Sequence, residues 1–105
     1  MEDKVLELET GILKAFAQPT RLKILEFLRS GEKSIYEVVS AIHGEQSNVS
    51  RHISLMQKHY IVTTRKDGVR VIVTVRDLEV FNILDTVSRI LKERFKEEKK
   101  LFLKV

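Results

Sequence analysis

The segment Gln46-Ser47-Asn48-Val49-Ser50-Arg51-His52 concentrates short polar side chains and contains no acid. Asn and Gln amides can pair adenine edges, Arg can pair guanine, and Ser can meet a base or a phosphate. To do so they must ride on an element slim enough for a major groove about 12 Å wide, which a helix satisfies. A second cluster, Arg65-Lys66-Asp67-Gly68 followed by Arg70, gathers cations around a tight turn, an arrangement suited to phosphate contact. The candidate DNA-contacting residues are therefore Gln46, Ser47, Asn48, Ser50, Arg51, His52, Arg65, Lys66 and Arg70.

The charge distribution points the same way. The chain carries a formal net charge of +4. Between residues 46 and 76 the bases are Arg51, Lys58, Arg65, Lys66, Arg70 and Arg76, and the acid is Asp67. A basic block of this kind is the electrostatic footprint of a nucleic-acid binder. The alternative is a polar helix that merely faces solvent. Composition weighs against it: exposed helices favour Glu and Lys pairs, whereas Ser and Asn are poor helix formers.

Other functions are disfavoured. With 105 residues the chain has room for one core, so 1–105 is expected to be a single domain. The absence of cysteine excludes disulfides, zinc–thiolate sites, iron–sulfur clusters and thiol catalysis. No apolar run is long enough to span a membrane. Met1-Glu2-Asp3-Lys4 lacks the basic start and apolar stretch of a secretion signal, so a cytoplasmic protein is expected. There is no phosphate-cradling glycine loop, nucleophile elbow or metal triad, and an enzyme is not expected. His52 and His59 lie seven residues apart, roughly 10 Å along a helix, too far to share one ion. No metal or other cofactor is expected. His52 reads as a phosphate or base contact, or else as a helix-surface residue; His43 and His59 read as turn residues.

These groups must be positioned by ordered elements. Val5, Leu8, Ile12 and Phe16 recur at helical steps and predict a helix over 4–17. Pro19 suits a first helical position, and a second helix is predicted from there to about Ser30, burying Leu22, Ile24, Leu25, Phe27 and Leu28. Gly31 is placed to stop it. Ser34 and Glu37 form a capping-box pattern ahead of a short helix over 35–42. After the turn His43-Gly44-Glu45, a fourth helix over 46–58 is anchored only by Val49, Ile53 and Met56. The period then falls to two. Strands over 61–66 and 69–75 flank Asp67-Gly68, a hairpin signal in which both turn positions take positive φ. Asp77 is a good N-cap for a last helix over 77–100, with fraying expected in the charged stretch Lys96–Lys100. A hairpin packed on a helical trio gives a mainly α (α+β) winged helix-turn-helix.

Three motifs, in order, resemble the ArsR family of bacterial and archaeal winged-helix repressors. Ala15-Phe16-Ala17-Gln18-Pro19-Thr20-Arg21-Leu22-Lys23-Ile24-Leu25 is similar to that family's "A-L-(A/G)-(D/H/N)-P-T-R-L-x-I-L". Gln46-Ser47-Asn48-Val49-Ser50-Arg51-His52-Ile53 is similar to its recognition helix, "Q-S-T-V-S-R-H-L", and Asp67-Gly68-Val69-Arg70-Val71 to its wing. The resemblance implies a homodimeric repressor of promoter DNA, dimerised through the first and last helices. The departures are informative. Gln18 replaces the usual capping residue before Pro, and Glu45 stands where a Ser cap is common. His59-Tyr60 replaces Ala-Gly, forcing a non-glycine residue into a left-handed turn. Tyr36-Glu37-Val38-Val39 stands where many members carry metal-sensing cysteines.

The first and last helices hold more apolar positions than one small trio can cover. A thick single core is one explanation. A two-fold dimer through 4–17 and 77–100 is the better one. The expected partners are thus double-stranded DNA and a second copy. The competing class is a protein-interaction module, since winged helices also bridge proteins.

Overall fold

The computed structural model describes residues 2–103, and the side chains of residues 101 and 102 lie outside that description. The elements are α1 (Asp3–Phe16), α2 (Pro19–Phe27) with a 3-10 turn (Leu28–Ser30), β1 (Lys33–Ser34), α3 (Ile35–Ile42), α4 (Gln46–Lys58), β2 (Val62–Asp67), β3 (Arg70–Val75) and α5 (Glu79–Leu103). This is the winged helix-turn-helix order expected from the sequence.

Local chemistry sets most of the boundaries. Gln18 does the capping work its position demands: its side chain accepts from the Arg21 N–H at 2.9 Å, ahead of Pro19. Ser34 and Glu37 form the full capping box, with bonds of 3.2 and 3.1 Å. Glu45, at the N-cap of α4, makes no side-chain cap bond. Asp77 accepts from the Glu79 N–H at 2.8 Å and so starts α5.

Helices α3 and α4 end alike. His43 (φ 54) and Tyr60 (φ 65) take the left-handed conformation without being glycine. In each case two backbone bonds close the end: Gly44 N–H to Val39 and His43 N–H to Ser40, then Ile61 N–H to Met56 and Tyr60 N–H to Gln57. These are the paired bonds of a Schellman motif, made here at a steric cost of about 1 kcal/mol per left-handed residue.

The wing departs from expectation in two ways. It has three strands, in the order β1-β3-β2, because Lys33 and Ser34 pair with Val73 and Ile72. A two-residue strand has no sequence period of its own, so no pattern announces it. The hairpin loop is Gly68-Val69 rather than Asp67-Gly68, since Asp67 pairs with Arg70. Only Gly68 takes positive φ, at 64°, which is the glycine-first form of a two-residue loop. In α5 the charged stretch Lys96–Lys100 remains helical through to Leu103, with exposed ion pairs Arg94–Glu98 and Lys96–Glu93 at 3.6 and 3.9 Å along it.

The core is where the trio meets the sheet. Ile24, Leu25, Val38, Val49, Ile53, Met56, Ile61, Val62 and Val73 are fully buried, joined by Ala15, Phe16, Val80 and Leu84. Leu22, expected inside, is 37% exposed. Each buried large side chain contributes about 1.5–3 kcal/mol, so Val49, Ile53 and Met56 hold α4 despite its poor helix propensity. Beyond Leu84, α5 leaves the core and every residue with a described side chain is exposed. The molecule is accordingly elongated: its radius of gyration is 16.8 Å, against about 13 Å for a compact chain of this length.

Candidate nucleic-acid interface

On α4, Ser47 and Arg51 lie opposite the buried stripe of Val49, Ile53 and Met56, and the other predicted polar residues lie on its flanks. Gln46, Ser47 and Arg51 are exposed; Asn48, Ser50 and His52 are half-buried. Arg51 Nη2 donates to Asn48 Oδ1 at 2.7 Å, joining two of them. Beside the start of α4 lies a hollow of about 470 Å³, lined by Thr20 and Lys23 of α2, by His43-Gly44-Glu45, and by Ser47, Asn48 and Arg51. Thr20 and Lys23 were not singled out in the sequence. They enter this surface because α2 crosses behind the turn, which no local pattern reports.

His52 is engaged from within. Arg21 reaches across from α2 and bonds its Nδ1 at 3.1 Å. The same guanidinium donates through Nε to the Ala15 carbonyl at 2.7 Å and through Nη2 to the Lys14 carbonyl at 3.2 Å. Arg21 therefore satisfies carbonyls at the end of α1 and ties α1 and α2 to α4. Because a guanidinium can only donate, Nδ1 is the acceptor and the ring is the Nε2–H tautomer. Burial, then the charges of Arg21 and Arg51, push the His52 pKa below its ordinary value. One sequence signal existed: a cation in the first turn of a helix opposes the helix dipole, so Arg21 must be held by something else.

At the other end of α4, His59 seats against α1. A Cβ on Gly11 would lie 2.7 Å from the His59 ring nitrogen Nδ1, so only glycine permits this approach. Thr64 donates to Gln57 Oε1 at 2.9 Å, linking α4 to β2.

The wing residues Arg65, Lys66 and Arg70 are all exposed. Two of them are already paired: Arg65 with Glu32 at 2.8 Å and Arg70 with Glu37 at 3.1 Å. The basic block read from the sequence is therefore partly neutralised by acids lying outside it. Glu37 serves twice, as capping-box residue and as partner of Arg70. Its carboxyl is held below the usual range, first by the Ser34 N–H and then by the Ser34 hydroxyl. At the loop, Val69 is 96% exposed.

A second surface is apolar. Val5, Leu6, Leu8 and Leu13 of α1 and Val87, Ile90, Leu91 and Phe95 of α5 are all exposed. Between α1, α2 and α5 runs a groove of about 470 Å³ lined by Leu13, Phe16, Leu22, Ile83, Val87 and Leu91, among others. Among the described residues no cluster of His, Cys, Asp or Glu could hold a metal ion, and no helix is long and apolar enough to cross a membrane.

The fold and the polar helix with its wing define a winged helix-turn-helix protein. Residues 18–64 match the model of the bacterial regulatory protein arsR family. The transcriptional activator HlyU of Vibrio cholerae is 33% identical over 79 residues, covering 75% of this chain and 73% of that protein. A solved HlyU structure superposes with a TM-score of 0.73 at 30% identity, covering 85% of this chain and 97% of that one. The transcriptional repressor SmtB of Mycobacterium tuberculosis is 30% identical over 86 residues, 81% of this chain; the chain spans 64% of that protein's length. A homodimeric winged helix-turn-helix DNA-binding domain from Mycobacterium bovis, 21% identical, shares the fold with a TM-score of 0.82, covering 92% of this chain and 93% of its own. The chain belongs to the arsR family of regulatory proteins, whose members are transcriptional regulators and not enzymes.

Proposed function

We propose that the chain binds double-stranded DNA as a homodimer and represses transcription by occupying a promoter. In this reading α4 enters the major groove, with Gln46, Ser47, Asn48, Ser50, Arg51 and His52 toward the bases and phosphates. Arg65, Lys66 and Arg70 grip the flanking backbone. The observation that carries the reading is α4 itself: an acid-free helix anchored by three side chains, with amides, hydroxyls and a guanidinium on its free surface.

The dimer uses α1 and α5. Their exposed apolar rows and the unpacked length of α5 support a second copy as partner, with 1–105 acting as one domain. Two-fold symmetry sets two α4 helices about 34 Å apart, one turn of duplex, so the operator is a near-palindrome. Repression by occupancy needs no ligand. One relative is a repressor and another an activator; repression is the outcome that the family resemblance implies.

Duplex affinity measured at about 50 and 200 mM salt tests the reading. A fall of a hundredfold or more is expected from released counterions. Salt-independent binding, or none, rejects it in favour of a protein-interaction module.

A further inference from the structure

Two of the groups on the free surface of α4 are bound to each other. Arg51 donates through Nη2 to Asn48 Oδ1 at 2.7 Å. Residues three apart share a helical face, and a charge-assisted bond of this length is a strong one. The contact also orients the amide. Because a guanidinium only donates, the oxygen must face Arg51 and the Nδ2 amino group must be the free end. Asn48 is half-buried, which restrains its rotamer.

An unencumbered Asn pairs adenine by accepting from the N6 amino group while donating to N7. Here one of the two lone pairs of the accepting oxygen is already spent on Arg51. An adenine amino group reaching for it meets the N–H groups and positive charge of Arg51. What the pair offers is mainly donors, the Nδ2 hydrogens and the guanidinium hydrogens not spent on Asn48, against one remaining lone pair beside a positive charge. Guanine presents two acceptors, N7 and O6, on its major-groove edge; adenine presents one acceptor and one donor.

We propose that Asn48 and Arg51 form one composite donor fork that selects guanine. Asn48 determines specificity by holding Arg51 in place and turning adenine away, not by reading adenine itself. This rests on α4 being the DNA-contacting helix.

Selection of bound duplexes from a random pool tests it, using wild type, Asn48→Ala, Arg51→Ala and the double variant, each first shown to melt like wild type. Wild type is expected to enrich guanine over adenine roughly ten- to a hundredfold at one position per half-site. Arg51→Ala should abolish that preference. Asn48→Ala should weaken it at the same position, and the double variant should be no worse than Arg51→Ala alone. Adenine enriched by wild type, and lost only on Asn48→Ala, overturns the fork while leaving DNA binding intact. Guanine preference undiminished in Asn48→Ala overturns the role of Asn48. A pool with no preferred base overturns sequence readout, and failure to bind any duplex overturns the proposed function with it.

Discussion

Helices α4 and α5 both leave much of their surface uncovered, and they leave opposite surfaces. The free face of α4 carries amides, hydroxyls and Arg51, which water hydrates at no cost. The free face of α5 carries Val87, Ile90, Leu91 and Phe95, each more than half exposed. Single exposed apolar residues are ordinary, but a row at helical spacing, with Val87 and Leu91 sharing a groove with Leu13 of α1, is a patch. One surface suits a polar, anionic partner and the other an apolar one. Arg21 and the His59–Gly11 contact join the two regions, since both fasten α4 to α1.

Leu91→Asp should produce the largest effect. Leu91 lies outside the buried core, so the fold should persist while sedimentation shifts from dimer to monomer. Losing the linked second half-site should cost duplex affinity about a hundredfold or more. A variant that stays dimeric with unchanged affinity would break the contrast between the helices. Lys66→Ala sharpens it from the other side. Assembly should be unchanged, while affinity falls a few-fold for all sequences alike and the salt slope drops by about one. A loss confined to one sequence would remove Lys66 from the backbone contacts.

The sequence was most readable where chemistry is local. The capping box at Ser34 and Glu37, proline at the start of α2, and the three-residue stripe of α4 each depend on neighbours within a turn or two. Long-range pairings were not readable. Glu32 and Glu37 neutralise the wing arginines from 33 residues away, and Arg21 meets His52 across 31. Those contacts are set by how α2, α3 and the sheet pack, and no spacing encodes them. The loop slipped by one residue for a related reason: Asp67-Gly68 and Gly68-Val69 are both good turns, and the ladder of β2 on β3 chose between them. The polar residues of α4 and the wing cations are nameable from the sequence, because what distinguishes them is composition; Thr20 and Lys23 are not, because packing alone brings them to the surface.

A smaller effect is expected at the end of α4. Tyr60 occupies a left-handed position at φ 65, and its ring is 5.8 Å from the Arg76 guanidinium. Tyr60→Gly relieves the backbone and should stabilise the protein by about 1 kcal/mol, raising Tm by a few degrees. A lower Tm would mean that the ring's contacts, the stacking with Arg76 among them, outweigh the strain. Either result leaves the α5 surface untouched and so isolates the α4 anchor.

The smallest effect separates the two regions by pH. His52 is held neutral as acceptor for Arg21, with its pKa below the ordinary 6.5. A histidine whose folded pKa is depressed binds fewer protons folded than unfolded, so stability rises with pH across that interval. The loss should begin as pH falls below about 6.5 and grow until the folded pKa is reached. Glu37, lowered from 4.5, gives up its contribution only at more acid pH, so the two windows separate. Protonation would also set an imidazolium against Arg21 and loosen the tie between α1 and α4. Tm followed from pH 7.5 to 5.5 should therefore fall more in wild type than in His52→Gln, whose amide oxygen can still accept from Arg21 but does not titrate. Equal slopes in the two proteins would show that Arg21 holds α4 without help from the charge state of His52.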